Sequence, residues 1–196
     1  RDVTGVQTCA LPICAHKADK PFFVWMNTTR MHIWTHLKKE SKGKTGIGLY
    51  PDGMVEHDGH VGLFLKKLKD LGIDDNTVVI YSSDNGWYMG DLGLYDKRFM
   101  YEPGLHIPLL ARGPGIKAGH VTDLFALNAD FAPTFLELAG VAVPADMHGR
   151  SLVPLLRGEQ PRDWRTSAYY RYYHDPGHHN TRAHYGVRTA THKLIH

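Results

Sequence analysis

Two oxygen-bearing side chains and one ammonium group lie close together along the chain. Asp84 and Asn85 are adjacent and precede Gly86, and Lys97 comes twelve residues after Asn85. A carboxylate and an amide oxygen in one turn can converge on a single hard cation, and such ligands suit calcium or magnesium rather than zinc. Lys97 is near enough in sequence to bring a cationic group to the same place. Taken alone, an Asp-Asn-Gly segment after a strand is most often only a turn.

The residues before Asp84 predict the element that positions it. Residues 77–81 form a β-branched and aromatic run, Thr-Val-Val-Ile-Tyr, which is typical of a buried parallel strand. Ligands of open α/β sheets bind beyond the carboxyl ends of the strands. Asp84 and Asn85 fall at that edge, so the sequence predicts a site there.

A second apolar run places a histidine at a comparable position. Residues 21–26 predict another buried strand, and His32 follows in the segment after it. His36 is the alternative candidate. A lone histidine at a strand end is more often structural than functional, so its role depends on further evidence.

The remaining elements predict an α/β fold. Residues 52–72 carry an apolar stripe at helical spacing, with Asp52 as the expected cap and Gly72 at the end. This helix and the strand over 77–82 would form one crossover unit of a parallel sheet. A second helix is predicted over 128–140, and strands near 168–173, 184–189 and 193–195 predict a small antiparallel piece. The fold class is therefore α/β, with a partial parallel or mixed sheet flanked by helices.

Three segments together resemble a known family. Ser-Asp-Asn-Gly at 83–86, Asp-Lys at 96–97 and the run 101–115 (YEPGLHIPLLARGPG) resemble the calcium-dependent, formylglycine-type sulfatases of the alkaline phosphatase superfamily. The resemblance covers about residues 20–196. It implies that Asp84 and Asn85 are metal ligands for Ca²⁺, with Mg²⁺ as the alternative. It also implies that Lys97 contacts the sulfate and that His32 hydrogen-bonds the bridging ester oxygen, which makes both residues catalytic and substrate-binding.

The same resemblance implies which parts lie elsewhere. The family's Cys/Ser-x-Pro-x-Arg segment, whose first residue becomes the formylglycine nucleophile, is not found in these residues and is expected in a missing amino-terminal part. We therefore expect a fragment of a sulfuric ester hydrolase, truncated at both ends and inactive alone. The expected substrate is a sulfated small molecule, aryl or carbohydrate, and the expected location is periplasmic or secreted. Gly90-Asp91-Leu92-Gly93 and His106 depart from the usual family pattern.

Two other functions remain open. Phosphodiesterases and phosphonate hydrolases of the same superfamily usually place Asp-His after this strand, so Asn85 favours sulfate. A non-catalytic carbohydrate-binding remnant is the other alternative. The lysine- and glycine-rich residues 37–51 are a solvated loop or the rim of an entrance for a polyanion. The histidine-rich residues 174–184 lack the spacing of a transition-metal site, and the resemblance suggests that this carboxyl-terminal piece shapes a sugar pocket.

The composition and the chain ends limit the possible partners and the extent of the domains. A net charge of +3 over 196 residues indicates no nucleic-acid or membrane partner. Residues 3–13 resemble a translated sequencing adapter, so residues 1–19 are interpreted as an artefactual or disordered leader. Residues 20–160 are then the carboxyl-terminal part of the catalytic domain, and 161–196 begin a small subdomain. Residues 21–80 resemble one sulfatase subgroup and residues 87–196 another. Whether the chain joins parts of two sulfatases at the 83–86 segment stays an open question.

Overall fold

The chain is described here by a computed structural model that covers residues 13, 15–28, 30–32 and 35–196. These residues divide into a first compact unit that ends at Thr77 and a second unit, Val78–His196. Most of the predicted leader lies outside the described residues. The predicted domain boundaries after residues 19 and 160 stay predictions.

The first unit is built around one long helix, α1, Leu49–Asp70. The predicted stripe is half-buried along one side, and the chain leaves the helix at Gly72 with φ +66°. The predicted cap is wrong, because the helix begins three residues before Asp52. Asp52 instead lies buried in the first turn. There it accepts hydrogen bonds from the Gly43 N–H at 2.6 Å and the Thr45 N–H at 2.8 Å. Its carboxylate therefore holds the lysine-rich loop against the helix.

The predicted strand over residues 21–26 does not form. Residues 21–28 have no regular secondary structure, and the side chains of Phe23 and Trp25 are 62% and 75% exposed. A strand is stable only when a neighbour satisfies its backbone groups, and no strand of the described residues pairs with this segment. The apolar pattern alone could not supply that neighbour.

The second unit begins with β1, Val79–Ser82, which pairs with β2, Leu109–Arg112. The pairing is antiparallel, with Val79 opposite Arg112 and Ser82 opposite Leu109. The strand itself was predicted correctly, but a partial parallel sheet is not confirmed within the described residues. All four residues of β1 are half-buried rather than buried, because the described chain gives β1 a neighbour on one edge only.

Three short helices complete the middle of this unit: α2, Glu102–Leu105, α3, Phe131–Leu138, and α4, Val153–Leu156. A small core forms where α4 meets its neighbours. Leu152, Leu155 and Trp164 are buried there, with Leu109, Leu124, Phe131 and Leu156 packed around them. Trp164 also donates its indole N–H to the Phe125 carbonyl at 2.8 Å.

The carboxyl-terminal part is an antiparallel sheet, as the sequence predicts. It consists of β3, Ser167–Tyr172, β4, His184–Thr189, and β5, Lys193–Ile195, in that order. The small antiparallel piece is therefore confirmed. Among the described residues, no helix combines the length and the apolar character needed to cross a membrane.

Candidate active site

The turn after β1, residues 84–86, is fixed through its backbone. The Ser83 hydroxyl donates to the Asn85 carbonyl at 2.7 Å. The Asn128 amide donates to the Asp84 carbonyl at 2.6 Å. These bonds leave the side chain of Asp84 exposed to solvent while its backbone is held. This segment is called the 84–86 turn below.

The two predicted metal ligands keep oxygen atoms available. The Asn85 N–H donates to Asp84 Oδ1 at 3.0 Å, and the Asn85 side-chain NH₂ donates to the Gly86 carbonyl at 2.6 Å. Because the side-chain nitrogen of Asn85 makes this hydrogen bond, the orientation of the Asn85 amide group is set. Within the described part of the chain, Asp84 Oδ2 and Asn85 Oδ1 take part in no hydrogen bond. A carboxylate oxygen and an amide oxygen are the donors that a hard cation prefers.

Gly86 is required by a close approach of two backbone segments. Its N–H donates to the Gly104 carbonyl at 3.0 Å. A Cβ at residue 86 would lie 2.9 Å from the Pro103 carbonyl carbon and nearer still to the Pro103 oxygen. The glycine of the Asp-Asn-Gly segment thus lets α2 pack directly on the 84–86 turn.

A hairpin-like segment brings Lys97 against Trp87, the residue that follows this turn. The Tyr88 N–H donates to the Asp96 carbonyl at 2.7 Å, and the chain reverses between Gly90 and Leu94. The Lys97 ammonium lies 5.5 Å from the centre of the Trp87 ring, in a cation–π contact. Trp87 follows Asn85 by two residues. The Lys97 ammonium therefore lies against the residue that directly follows the 84–86 turn.

The residues that flank Lys97 form a charged cluster that the sequence analysis missed. Asp96 is buried, with its side chain paired to Arg98, and His179 Nδ1 lies 3.4 Å from Asp96 Oδ1. Asp96 Oδ2 is also buried and lacks a hydrogen-bond partner among the described residues. A buried carboxylate needs compensating charge. In the sequence, only the Asp-Lys-Arg triplet at 96–98 indicated this cluster. The other partner of Asp96, His179, lies in the histidine-rich loop and is distant in sequence.

Asp130 is a second residue that the sequence analysis missed, and it supports the 84–86 turn through Asn128. Asp130 is fully buried and accepts hydrogen bonds from the N–H groups of Leu127 and Arg150, both at 2.8 Å. The Arg165 guanidinium forms a fork with both carboxylate oxygens, with Nη2 at 2.7 Å from Oδ1. Asp130 ends the 3₁₀ turn that carries Asn128, so this ion pair holds the amide that reaches the 84–86 turn.

The antiparallel sheet contacts the segment after Lys97. Glu102 accepts hydrogen bonds from Arg188 and Lys193, and these partners, Arg188 first, lower the pKa of its carboxyl from 4.5 to about 2. The carboxyl-terminal piece thus folds back onto this segment. Its predicted part in a sugar pocket stays a prediction.

The predicted histidines belong to the first unit. His32 is exposed, and its carbonyl accepts a hydrogen bond from the Thr35 hydroxyl at 2.5 Å. The His36 carbonyl accepts one from Arg30 at 2.6 Å. These contacts involve the backbone and do not test either side chain, so the role of His32 and the alternative His36 stay predictions.

Within the described residues, no three His, Cys, Asp or Glu side chains come together as a metal site. The 84–86 turn supplies two oxygen donors, one of which is an amide. Calcium takes about six to eight oxygens. These two donors alone would therefore not complete a calcium site.

Comparison with known proteins identifies the family. The sulfatase family model matches residues 10–141, and the model for the carboxyl-terminal part of N-sulphoglucosamine sulphohydrolase matches residues 90–196. An N-acetylglucosamine-6-O-sulfatase of Bacteroides thetaiotaomicron is 43% identical over 183 residues, covering 88% of this chain and 33% of that protein. An alignment of that extent runs across the 83–86 segment, so one relative matches both sides of the suggested join.

Several solved structures are also similar to this chain. A protein in complex with its substrate D-glucosamine-2-N,6-O-disulfate has a TM-score of 0.73 and 46% identity, over 76% of this chain and 31% of that one. A phosphonate monoester hydrolase from Silicibacter pomeroyi has a TM-score of 0.68 and 31% identity, over 76% and 32%. The chain thus spans about a third of the length of these relatives. Since the sulfatase family model matches more than half of its residues, the chain belongs to the sulfatase family.

Proposed function

We propose that the protein containing this chain hydrolyses sulfate esters, with Asp84 and Asn85 as two ligands of a Ca²⁺ ion and Lys97 as a sulfate-binding residue. Mg²⁺ is the alternative cation. The observation that carries the proposal is the held 84–86 turn, which keeps two oxygens outside hydrogen bonds, while the ammonium of Lys97 lies over the ring of Trp87, the next residue. When bound, a divalent cation would polarise the sulfate group.

Lys97 would bind and orient the sulfate. Sulfuryl transfer resembles phosphoryl transfer, in that catalysis depends on positioning and on neutralising charge on the peripheral oxygens. An ammonium is a compact charge suited to one such oxygen. The cation–π contact with Trp87 restrains the long side chain, which lowers the entropy lost when the sulfate binds.

For His32 the proposal rests on the resemblance alone. As the S–O bond to the alcohol breaks, a protonated His32 would give its proton to the leaving oxygen. The nucleophile, a formylglycine, would come from a part of the protein outside these residues. The 196-residue chain would then be inactive by itself.

A sulfated carbohydrate is the substrate class that we propose, with an aryl sulfate as the alternative. Support comes from the relatives, one named an N-acetylglucosamine-6-O-sulfatase and one solved with D-glucosamine-2-N,6-O-disulfate. Arg98 and the exposed His179 both contact Asp96, the residue that precedes the proposed sulfate-binding lysine in the chain. Both side chains can hydrogen-bond the hydroxyl groups of a sugar.

Phosphonate ester hydrolysis is the second candidate, because one similar structure is a phosphonate monoester hydrolase. Asn85 favours sulfate, as such hydrolases usually have histidine there. Turnover of matched aryl sulfate and aryl phosphonate esters by the complete protein separates the two. We expect the higher kcat/KM for the sulfate ester, and the reverse order would support the alternative.

The site residues are tested by substitution in the complete protein. Lys97→Ala should lower kcat/KM for a sulfate ester by about 10²- to 10³-fold, the range found for lost electrostatic stabilisers. Asp84→Ala should lower it at least as much and weaken the response to added calcium. Asp70→Asn is a matched control, since it breaks an exposed ion pair with Lys66 at 2.7 Å. Activity of Lys97→Ala equal to that of Asp70→Asn would contradict the assignment.

A further inference from the structure

Residues 98–102 run from Lys97 into the first residue of α2, and they contact the carboxyl-terminal sheet at several points. The Tyr170 hydroxyl of β3 donates to the Arg98 carbonyl at 2.6 Å. Burial raises the pKa of Tyr170, so this hydroxyl remains a donor. Met100 is completely buried, and a Cβ on Gly186 of β4 would lie 2.9 Å from the Met100 methyl carbon. The sheet therefore fits tightly against the segment.

Glu102 makes the third of these contacts. Arg188 Nε and Nη2 each lie 3.2 Å from a different oxygen of Glu102, and Lys193 Nζ lies 2.6 Å from Oε1. Arg188 and Lys193 are directly opposite each other in the pairing of β4 with β5. One carboxylate is therefore shared by two cations that the sheet register itself brings together.

Tyr88 holds the backbone of the same segment at residues 99 and 101. Tyr88 is fully buried, and its hydroxyl donates to the Phe99 carbonyl at 2.6 Å and accepts from the Tyr101 N–H at 3.1 Å. The Phe99 ring also stacks on His184 of β4, with ring centres 5.7 Å apart. The segment is therefore held through its backbone by Tyr88 and through its side chains by the sheet.

We propose that Glu102, with Arg188 and Lys193, is a positioning residue for Lys97: the sheet clamps residues 98–102 so that the lysine ammonium keeps its place beside Trp87 and the 84–86 turn. The inference rests on the proposed function, since it assumes that Lys97 binds the sulfate. Glu102 is five residues from Lys97 and is the first residue of α2, which is bonded to the 84–86 turn through Gly86 and Gly104. A shift at the clamp would therefore displace Lys97 relative to that turn.

A double-mutant cycle in the complete protein tests the clamp against a purely structural role. Glu102→Gln keeps the shape and removes the charge, and it should lower kcat/KM for a sulfate ester by about tenfold to hundredfold. In a Lys97→Ala background, the same substitution should lower it by less than about twofold, because the group being positioned is gone. Asp175→Asn is a matched control that breaks an exposed ion pair with Arg182, at 3.1 Å, in the same part of the chain.

The outcomes are distinguishable. An equal loss from Glu102→Gln in both backgrounds, or a loss no larger than that of Asp175→Asn, would overturn the positioning role while leaving the proposed function intact. If Lys97→Ala itself leaves kcat/KM unchanged, both the proposed function and the positioning role are wrong. Should Glu102→Gln fail to fold, Lys193→Met in the same cycle removes one of the two cations and carries the same expectations.

Discussion

Gly86→Ala is expected to damage both the stability of the protein and the 84–86 turn. The new methyl group would lie 2.9 Å from the Pro103 carbonyl carbon, 3.0 Å from the Gly104 carbonyl carbon, and closer still to the Pro103 oxygen. Ordinary van der Waals contact begins near 3.4 Å. These atoms belong to the backbone, so no change of side-chain rotamer relieves the overlap, and α2 must move away by more than about half an ångström.

The magnitude follows from two terms. Overpacking of this kind costs about 1–3 kcal/mol. The movement also stretches the hydrogen bond from the Gly86 N–H to the Gly104 carbonyl, now 3.0 Å, which contributes about 1 kcal/mol. We therefore expect the free energy of unfolding to fall by about 2–4 kcal/mol. A displacement approaching 1 Å at the predicted ligands should also lower kcat/KM by up to about 10²-fold.

Urea denaturation of the complete protein measures the change in stability, and hydrogen exchange of residues 84–105 locates it. Gly62→Ala is the matched control, because Gly62 lies within α1 and a Cβ there meets nothing within 4 Å. That control should stabilise the helix by about 0.5–1 kcal/mol. If Gly86→Ala behaves like Gly62→Ala, the close approach between α2 and the 84–86 turn is not what requires the glycine.

Three further predictions follow from the charged groups and the extent of the chain. Asp130→Asn leaves the half-buried Arg165 without its partner charge, so urea denaturation should show a loss of roughly 3 kcal/mol; an unchanged midpoint would be inconsistent with the buried fork. The pKa of Glu102 is lower in the folded protein, at about 2, than its usual 4.5, so its stabilisation is present above pH 4.5 and is lost as the pH falls towards 2. Because the side chain is 48% exposed, screening reduces that contribution to about 1 kcal/mol, and Glu102→Gln should remove this part of the acid sensitivity of unfolding. The purified 196-residue chain should not turn over a chromogenic aryl sulfate, and turnover above a Lys97→Ala control would show that no further segment is needed.

Local patterns predicted most elements of the structure but not their partners. The helical stripe located α1, because periodicity reports which face of a helix is buried. The strand-like runs near 168–173 and 184–189 located β3 and β4. The direction of β1 could not be read in this way. Its partner, β2, lies some thirty residues further on, and the same apolar run suits either a parallel or an antiparallel neighbour.

In the candidate site, too, the sequence predicted individual residues but not their distant partners. Asp84, Asn85 and Lys97 were identified from residue types and from the resemblance, and the structure brings Lys97 against Trp87, which follows the 84–86 turn. Asp96 and Asp130 were missed as ion-pair centres because their partners, His179 and Arg165, come from distant parts of the chain. A buried carboxylate looks like any exposed one in sequence until tertiary packing removes its water.

The most direct test of the central claim is a crystal structure of the complete protein with calcium bound. The account predicts one calcium ion with a carboxylate oxygen of Asp84 and the amide oxygen of Asn85 both at about 2.3–2.6 Å. It also predicts that the Lys97 ammonium faces the substrate side of that ion. A calcium ion bound elsewhere, with Asp84 and Asn85 contacting solvent alone, would contradict it.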